Sequence, residues 1–214
     1  YEIDNEKLPS VTTILSQTQS EEKRKSLENW KARVGVQSAE RIKNISAMRG
    51  TSMHTYLEGY LTDQKHLDLT ALGQEAGKMA DIVIRSGLGD LEEVWGTEVT
   101  LFYPGLYAGA TDVVGIYNGR ESIIDFKQTN KPKQREWIGD YFTQLAAYAM
   151  AHNHVYGTNI QSGIILMCSK DCYFQKFEVL DKEFQGYMHT FLKKVDQYYE
   201  NCTKDPNNEN TEND

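Results

Sequence analysis

The sequence predicts one mixed α/β domain, a small central sheet flanked by helices with a helical elaboration at its N-terminal end. Three observations predict it. Residues 93–128 have the β-branched and aromatic content of strands, broken by Pro104-Gly105 and by Asn118-Gly119. Apolar residues at helical spacing precede and follow that block. The 214 residues, 39% of them apolar, suffice for one core, and neither a repeat nor a linker divides them. We expect a single domain over residues 1–200 and an acidic, disordered tail over 201–214.

In chain order, Ser10 in PSVTTIL is placed to cap a short helix. A polar, amphipathic helix is expected over about 21–33. The next pattern starts near Gly50 and sets Met53, Leu57, Tyr60 and Leu61 on one face, with His54 and Glu58 sharing the neighbouring stripe. A third helix, 72–86, ends at Gly87-Leu-Gly89. Beyond the strand block come a helix over 140–152, short strands at 162–168 and 173–179, and a last amphipathic helix over 184–200.

The net charge of −8 argues at first against a nucleic-acid partner, because phosphate contacts need lysine and arginine. Distribution matters more: the tail holds −3 of that charge, whereas Lys127, Lys131, Lys133 and Arg135 stand between Phe126 and Arg135 with no acid among them. Cys168, Cys172 and Cys202 cannot all pair and do not form a metal-binding spacing, so a reducing compartment is the simpler reading. No run of about 18 apolar residues exists, so no membrane partner is expected. The start, YEIDNEKLPS, lacks a signal-peptide pattern, but the chain opens on Tyr1, which leaves a removed leader open.

The chemistry concentrates in GATDVVGIYNGRESIIDFKQ, residues 109–128. Asn-Gly between apolar strands signals a two-residue type I′ hairpin turn, since both positions need positive φ. With Asn118 and Gly119 as the loop, Asp112 falls opposite Asp125. Like charges so placed destabilise a sheet, more so among Val113, Val114, Ile123 and Ile124. A hard divalent cation, Mg²⁺ or Mn²⁺, would offset the repulsion, because carboxylate oxygens are its preferred ligands. Strand alternation puts Lys127 on the face of Asp125, where it can hold an attacking water or the phosphate under attack. A bulge that turns one carboxylate into solvent is the structural alternative.

An aspartate on one hairpin strand followed by Asp-x-Lys on the next, here Asp112 and Asp125-Phe126-Lys127, resembles the PD-(D/E)XK nucleases, and within them the RecB-type exonuclease branch. Thr111 stands where the family name has proline. Gly50, His54 and Glu58 match a G-x-x-x-H-x-x-x-E pattern, Gln144 and Tyr148 match Q-x-x-x-Y, and the likeness runs from about Leu8 to Glu200. The resemblance implies a restriction-endonuclease-like sheet and a monomeric, metal-dependent exonuclease acting on DNA, preferably single-stranded. It implies that His54, Asp112, Asp125 and the Phe126 carbonyl hold Mg²⁺ or Mn²⁺, with Glu98 as a further carboxylate. Lys127 would position the nucleophile, and Gln144 and Tyr148 would orient Lys127 or bind phosphate. Ser10, Thr12, Lys131 and Lys133 would contact the DNA backbone. A structure-selective endonuclease or resolvase of the same fold, and a DNA-binding module that does not cut, stay open. The setting is a bacterial or phage-infected cytoplasm, with the mitochondrial matrix as the alternative.

Overall fold

The computed structural model describes residues 1–3 and 6–204. A short hairpin of β1 (Glu2–Ile3) and β2 (Glu6–Lys7) precedes α1 (Val11–Gln17), α2 (Glu21–Val34), α3 (Val36–Leu61) and α4 (Ala71–Gly87). Then come β3 (Leu91–Tyr103), β4 (Tyr107–Tyr117), β5 (Arg120–Thr129), α5 (Gly139–Tyr156), β6 (Ser162–Ser169), β7 (Phe174–Leu180) and α6 (Asp181–Lys204). The main sheet has the order β3-β4-β5-β6-β7, antiparallel except for the β5–β6 pair that α5 connects. This is the predicted mixed sheet between helices.

Two cores sandwich the sheet. On one face, Val114, Ile123, Ile165 and Met167 pack with α5 and with Val11, Ile14, Phe184 and Phe191 of α1 and α6. On the other, Val113, Ile124, Phe126 and Leu166 pack with Met53, Leu57, Met79 and Val83 of α3 and α4. Adjacent strand residues fall into opposite cores, as period-two alternation requires.

The Asn118-Gly119 turn forms as expected, with φ of 49° and 73°. It sets the register Tyr117–Arg120 through Val113–Ile124. Three expectations are corrected. The helix expected from Gly50 begins at Val36, because Gly35 at φ 84° separates it from α2; its first turns carry Val36, Ile42, Ile45 and Met48 exposed, not packed on the sheet. Tyr60 is exposed although Met53 and Leu57 are fully buried, since α3 turns that side away from the sheet. The expected tail is helical through Lys204 as the end of α6, and its remainder, 205–214, lies outside the described residues.

Candidate active site

The paired register of β4 and β5 stops at Val113–Ile124, one step short of the aspartates. Beyond it β4 continues against β3, while β5 stays paired in parallel with β6 to Thr129, so the two strands part. Asp112 closes the gap with its side chain: Oδ2 accepts the Phe126 N–H at 2.7 Å. The expected face-to-face ladder pair is thus replaced by a carboxylate bridging to the neighbouring backbone. The anticipated repulsion is offset inside the chain. His54 Nδ1 lies 3.2 Å from Asp112 Oδ1, and Lys127 Nζ lies 2.6 Å from Asp125 Oδ2. The buried Oδ2 of Asp125 has Lys127 as its close charged partner.

The sequence positions used different devices to reach one place. His54 comes from α3, and its Nε2 lies 2.8 Å from the Phe126 carbonyl, which is the backbone oxygen named from the sequence. Lys127 Nζ donates to Gln144 Oε1 at 3.2 Å, and Gln144 Nε2 donates to the Tyr148 hydroxyl at 2.9 Å. The α5 pair therefore braces the lysine. Tyr141, one helical turn earlier, sets its ring 5.0 Å from the same Nζ. Sequence reasoning missed that role; the spacing of Tyr141, Gln144 and Tyr148 on one helix face was the available signal.

Glu98 reaches the site by an unusual route. Its neighbours pair as Thr97–Val113 and Val99–Thr111, so Glu98 stands across from Asp112, with φ at 48°. A non-glycine residue in that region is uncommon, and such backbone strain concentrates at functional sites. Ligand atoms of His54, Glu98 and Asp112 all lie within 4.8 Å of one another. Asp125 stands outside that trio, paired with Lys127. An open cleft of about 360 Å³ leads to the trio, lined by Gly50, Thr51, His54, Thr55, Glu58 and Glu98. The G-x-x-x-H-x-x-x-E residues are one wall of it.

Electrostatics couple these groups. Burial alone would depress His54, but the hydrogen bond and charge of Asp112, with Asp125 behind it, raise it to about 9. Burial would likewise raise Asp112, yet His54, Lys127 and the Phe126 N–H hold it below the usual carboxylate range. Asp125 goes the other way: burial lifts it to about 6 against the pull of Lys127, with Asp112 adding to the rise. Burial disfavours the Lys127 charge, but Asp125 and Asp112 overcome that and push its pKa up, so it is cationic. Glu98 is raised by burial and by repulsion from Asp112.

The four expected backbone-contacting residues do not join the cluster. Ser10 Oγ is committed to capping α1, accepting the Thr13 N–H at 2.9 Å, and it meets the Thr12 hydroxyl at 3.0 Å. Ser10 bridges to Ala108, four residues and about 13 Å along β4 from Asp112. Lys131 is exposed and Lys133 half-buried; Gln175 pins the Lys133 backbone by accepting its N–H and donating to its carbonyl, each at 2.8 Å. Among the described residues, no hydrogen bond or ion pair ties Ser10, Thr12, Lys131 or Lys133 to the carboxylates.

No family model matches the chain. It is 30% identical over 203 residues to mitochondrial genome maintenance exonuclease 1 of Mus musculus, covering 90% of this chain and 59% of that protein. The Homo sapiens protein of the same name is 28% identical over 212 residues, with 90% and 58% covered. The chain thus spans somewhat over half the length of these relatives. The crystal structure of a candidate exonuclease from Eubacterium rectale superposes with a TM-score of 0.51 at 16% identity, over 72% of this chain and 68% of that one. That likeness is one of fold.

Proposed function

We propose that this chain, a relative of the PD-(D/E)XK exonucleases, is a divalent-cation-dependent deoxyribonuclease that degrades single-stranded DNA from an end. The observation that carries the reading is the meeting of His54, Asp112, Asp125 and Lys127 where β4 and β5 part. A phosphate approaching through the cleft faces Glu58 and Glu98, with Asp112 behind them already paired to His54, and the two open carboxylates repel it unless a cation lies between.

The donor set fits such an ion. Carboxylate oxygens suit Mg²⁺ and Mn²⁺, and the imidazole favours Mn²⁺ of the two. His54, Asp112 and Glu98 would hold it, with Asp125 and the Phe126 carbonyl completing the set once Lys127 releases Asp125. When bound, the ion would polarise a water and neutralise charge on the phosphate. The chain's own residues supply the rest. Lys127, kept cationic by its carboxylates and braced by Gln144, holds a phosphate oxygen or the attacking water in line. Tyr148 keeps the Gln144 amide oriented, so that its oxygen faces the lysine. The Phe126 N–H fixes the Asp112 carboxylate and limits its rotation.

Lys131 and Lys133 follow Lys127 in the chain and would guide the strand's backbone electrostatically. Ser10 and Thr12 are weaker contributors, one hydroxyl being held in the helix cap. The names of the relatives favour the mitochondrial-matrix alternative over the cytoplasm. No helix among the described residues is long and apolar enough to cross a membrane.

The test is degradation of end-labelled linear single strands against circular ones, with Mn²⁺ or Mg²⁺ and with EDTA. An exonuclease consumes the linear strand and spares the circle, only with the ion present. Cutting of the circle would indicate the endonuclease reading, and binding without cutting the DNA-binding module.

A further inference from the structure

Arg49 is 3% exposed, a charge buried on α3 five residues before His54. Its Nε donates to Glu75 Oε2 of α4 at 3.0 Å. Its Nη1 donates to two neutral oxygens at the end of β5, Gln128 Oε1 at 3.2 Å and Asn130 Oδ1 at 2.9 Å. Both amides then return to α3: Gln128 Nε2 donates to the Ser46 carbonyl and Asn130 Nδ2 to Ser46 Oγ, each at 3.0 Å. Nothing in the proposed chemistry uses these groups.

The contacts step regularly along both elements. His54 meets Phe126; a Cβ on Gly50 would lie 3.4 Å from Gln128 Cγ; Ser46 meets Gln128 and Asn130. Four helix residues advance about 6 Å and two strand residues about 6.6 Å, so the two spacings match and α3 runs antiparallel along β5 in a fixed register. Apolar contact between Met53 or Leu57 and the sheet is non-directional and tolerates sliding. Hydrogen bonds from a rigid guanidinium fork do not. A slip of one helical turn would carry His54 away from both Phe126 and Asp112.

We infer that Arg49 is a positioning residue: it locks the register of α3 on β5 and thereby delivers His54 to the Phe126 carbonyl and Asp112, without touching ion or substrate. The importance of that delivery rests on the nuclease reading, but the register itself is separately testable. The readout is the His54 ring ¹⁵N resonances of the intact, metal-free chain, followed by the Mn²⁺ dissociation constant from calorimetry. Arg49→Ala should shift those resonances and weaken Mn²⁺ binding about 10–100-fold, the usual range for residues that orient a metal ligand. Its kcat should fall while KM for DNA changes less than about threefold.

Arg49→Lys should recover part of the loss, keeping the Glu75 pair but not the fork. Asn130→Ala removes one strut without stranding a buried charge and should shift the same resonances by less, so it decides the matter if Arg49→Ala does not fold. Folded variants with wild-type His54 resonances would overturn the inference. A wild-type chain that binds no Mn²⁺ would instead overturn the nuclease reading, leaving the resonance test intact.

Discussion

Mn²⁺ binding to the metal-free chain should expel one proton from His54. The imidazolium is held by Asp112 at 3.2 Å, and its pKa of about 9 means that nearly every molecule carries the proton at pH 7.5. Removing it about 1.5 units below that pKa opposes binding by about 2 kcal/mol. Apparent affinity should therefore rise about tenfold per pH unit from 6.5 towards 9 and then level off. The same linkage makes protonated His54 a stabilising group in the metal-free fold, fully below pH 6.5 and lost as pH rises through about 9. Asp112→Asn removes the bond and the charge and leaves only the more distant pull of Asp125 against burial, so in the metal-free variant the His54 ring should titrate below its wild-type value, read by its ¹⁵N resonances. Calorimetry in two buffers of different ionisation enthalpy counts the protons. No proton released, together with flat affinity between pH 6.5 and 8.5, would refute the reasoning.

Three further outcomes are expected. Gly115→Ala places a Cβ 2.0 Å from the Glu93 carbonyl oxygen across β3 and β4, and should destabilise the fold by about 3 kcal/mol or more in denaturant melts; a loss under about 1 kcal/mol contradicts the close packing. Gly109→Ala sets a Cβ 2.7 Å from Tyr148 Cε1, pushing the ring that orients Gln144, so kcat should fall about tenfold with the fold retained. Unchanged kcat there removes Tyr148 from the brace. Burial lowers His152, against a weaker pull from Glu121, while its Nδ1 meets Thr158 Oγ1 at 2.8 Å between Trp95 and Tyr156. Its contribution is present above pH 6.5 and lost as pH falls through the depressed folded value, and His152→Gln should flatten that acid-side slope in thermal melts.

The hairpin was legible because Asn118-Gly119 is a local signal: both φ requirements sit in adjacent residues, and the register follows. Gln144 and Tyr148 were singled out through the Q-x-x-x-Y resemblance, since their spacing alone fits any helix surface. What escaped depends on contacts distant in sequence. Nothing local distinguishes Arg49 from the exposed basic residues around it, because its partners are 26, 79 and 81 residues away. The first half of α3 leaves Val36, Ile42, Ile45 and Met48 exposed among charged residues, so its apolar spacing points to no buried face. The Glu98 backbone at φ 48° is imposed by its place in the β3–β4 ladder and not by its own preference. The Ser10 cap was legible because its partner, the Thr13 N–H, lies three residues away.

The central claim is that the cluster of His54, Asp112, Asp125 and Lys127 cuts DNA. The most direct measurement compares wild type, Asp125→Asn and Lys127→Ala on a 5′- or 3′-labelled single strand with Mn²⁺. Wild type should shorten the strand progressively, and each variant should lose at least about 100-fold in rate while melting as a folded protein. Wild-type turnover in either folded variant would contradict the account.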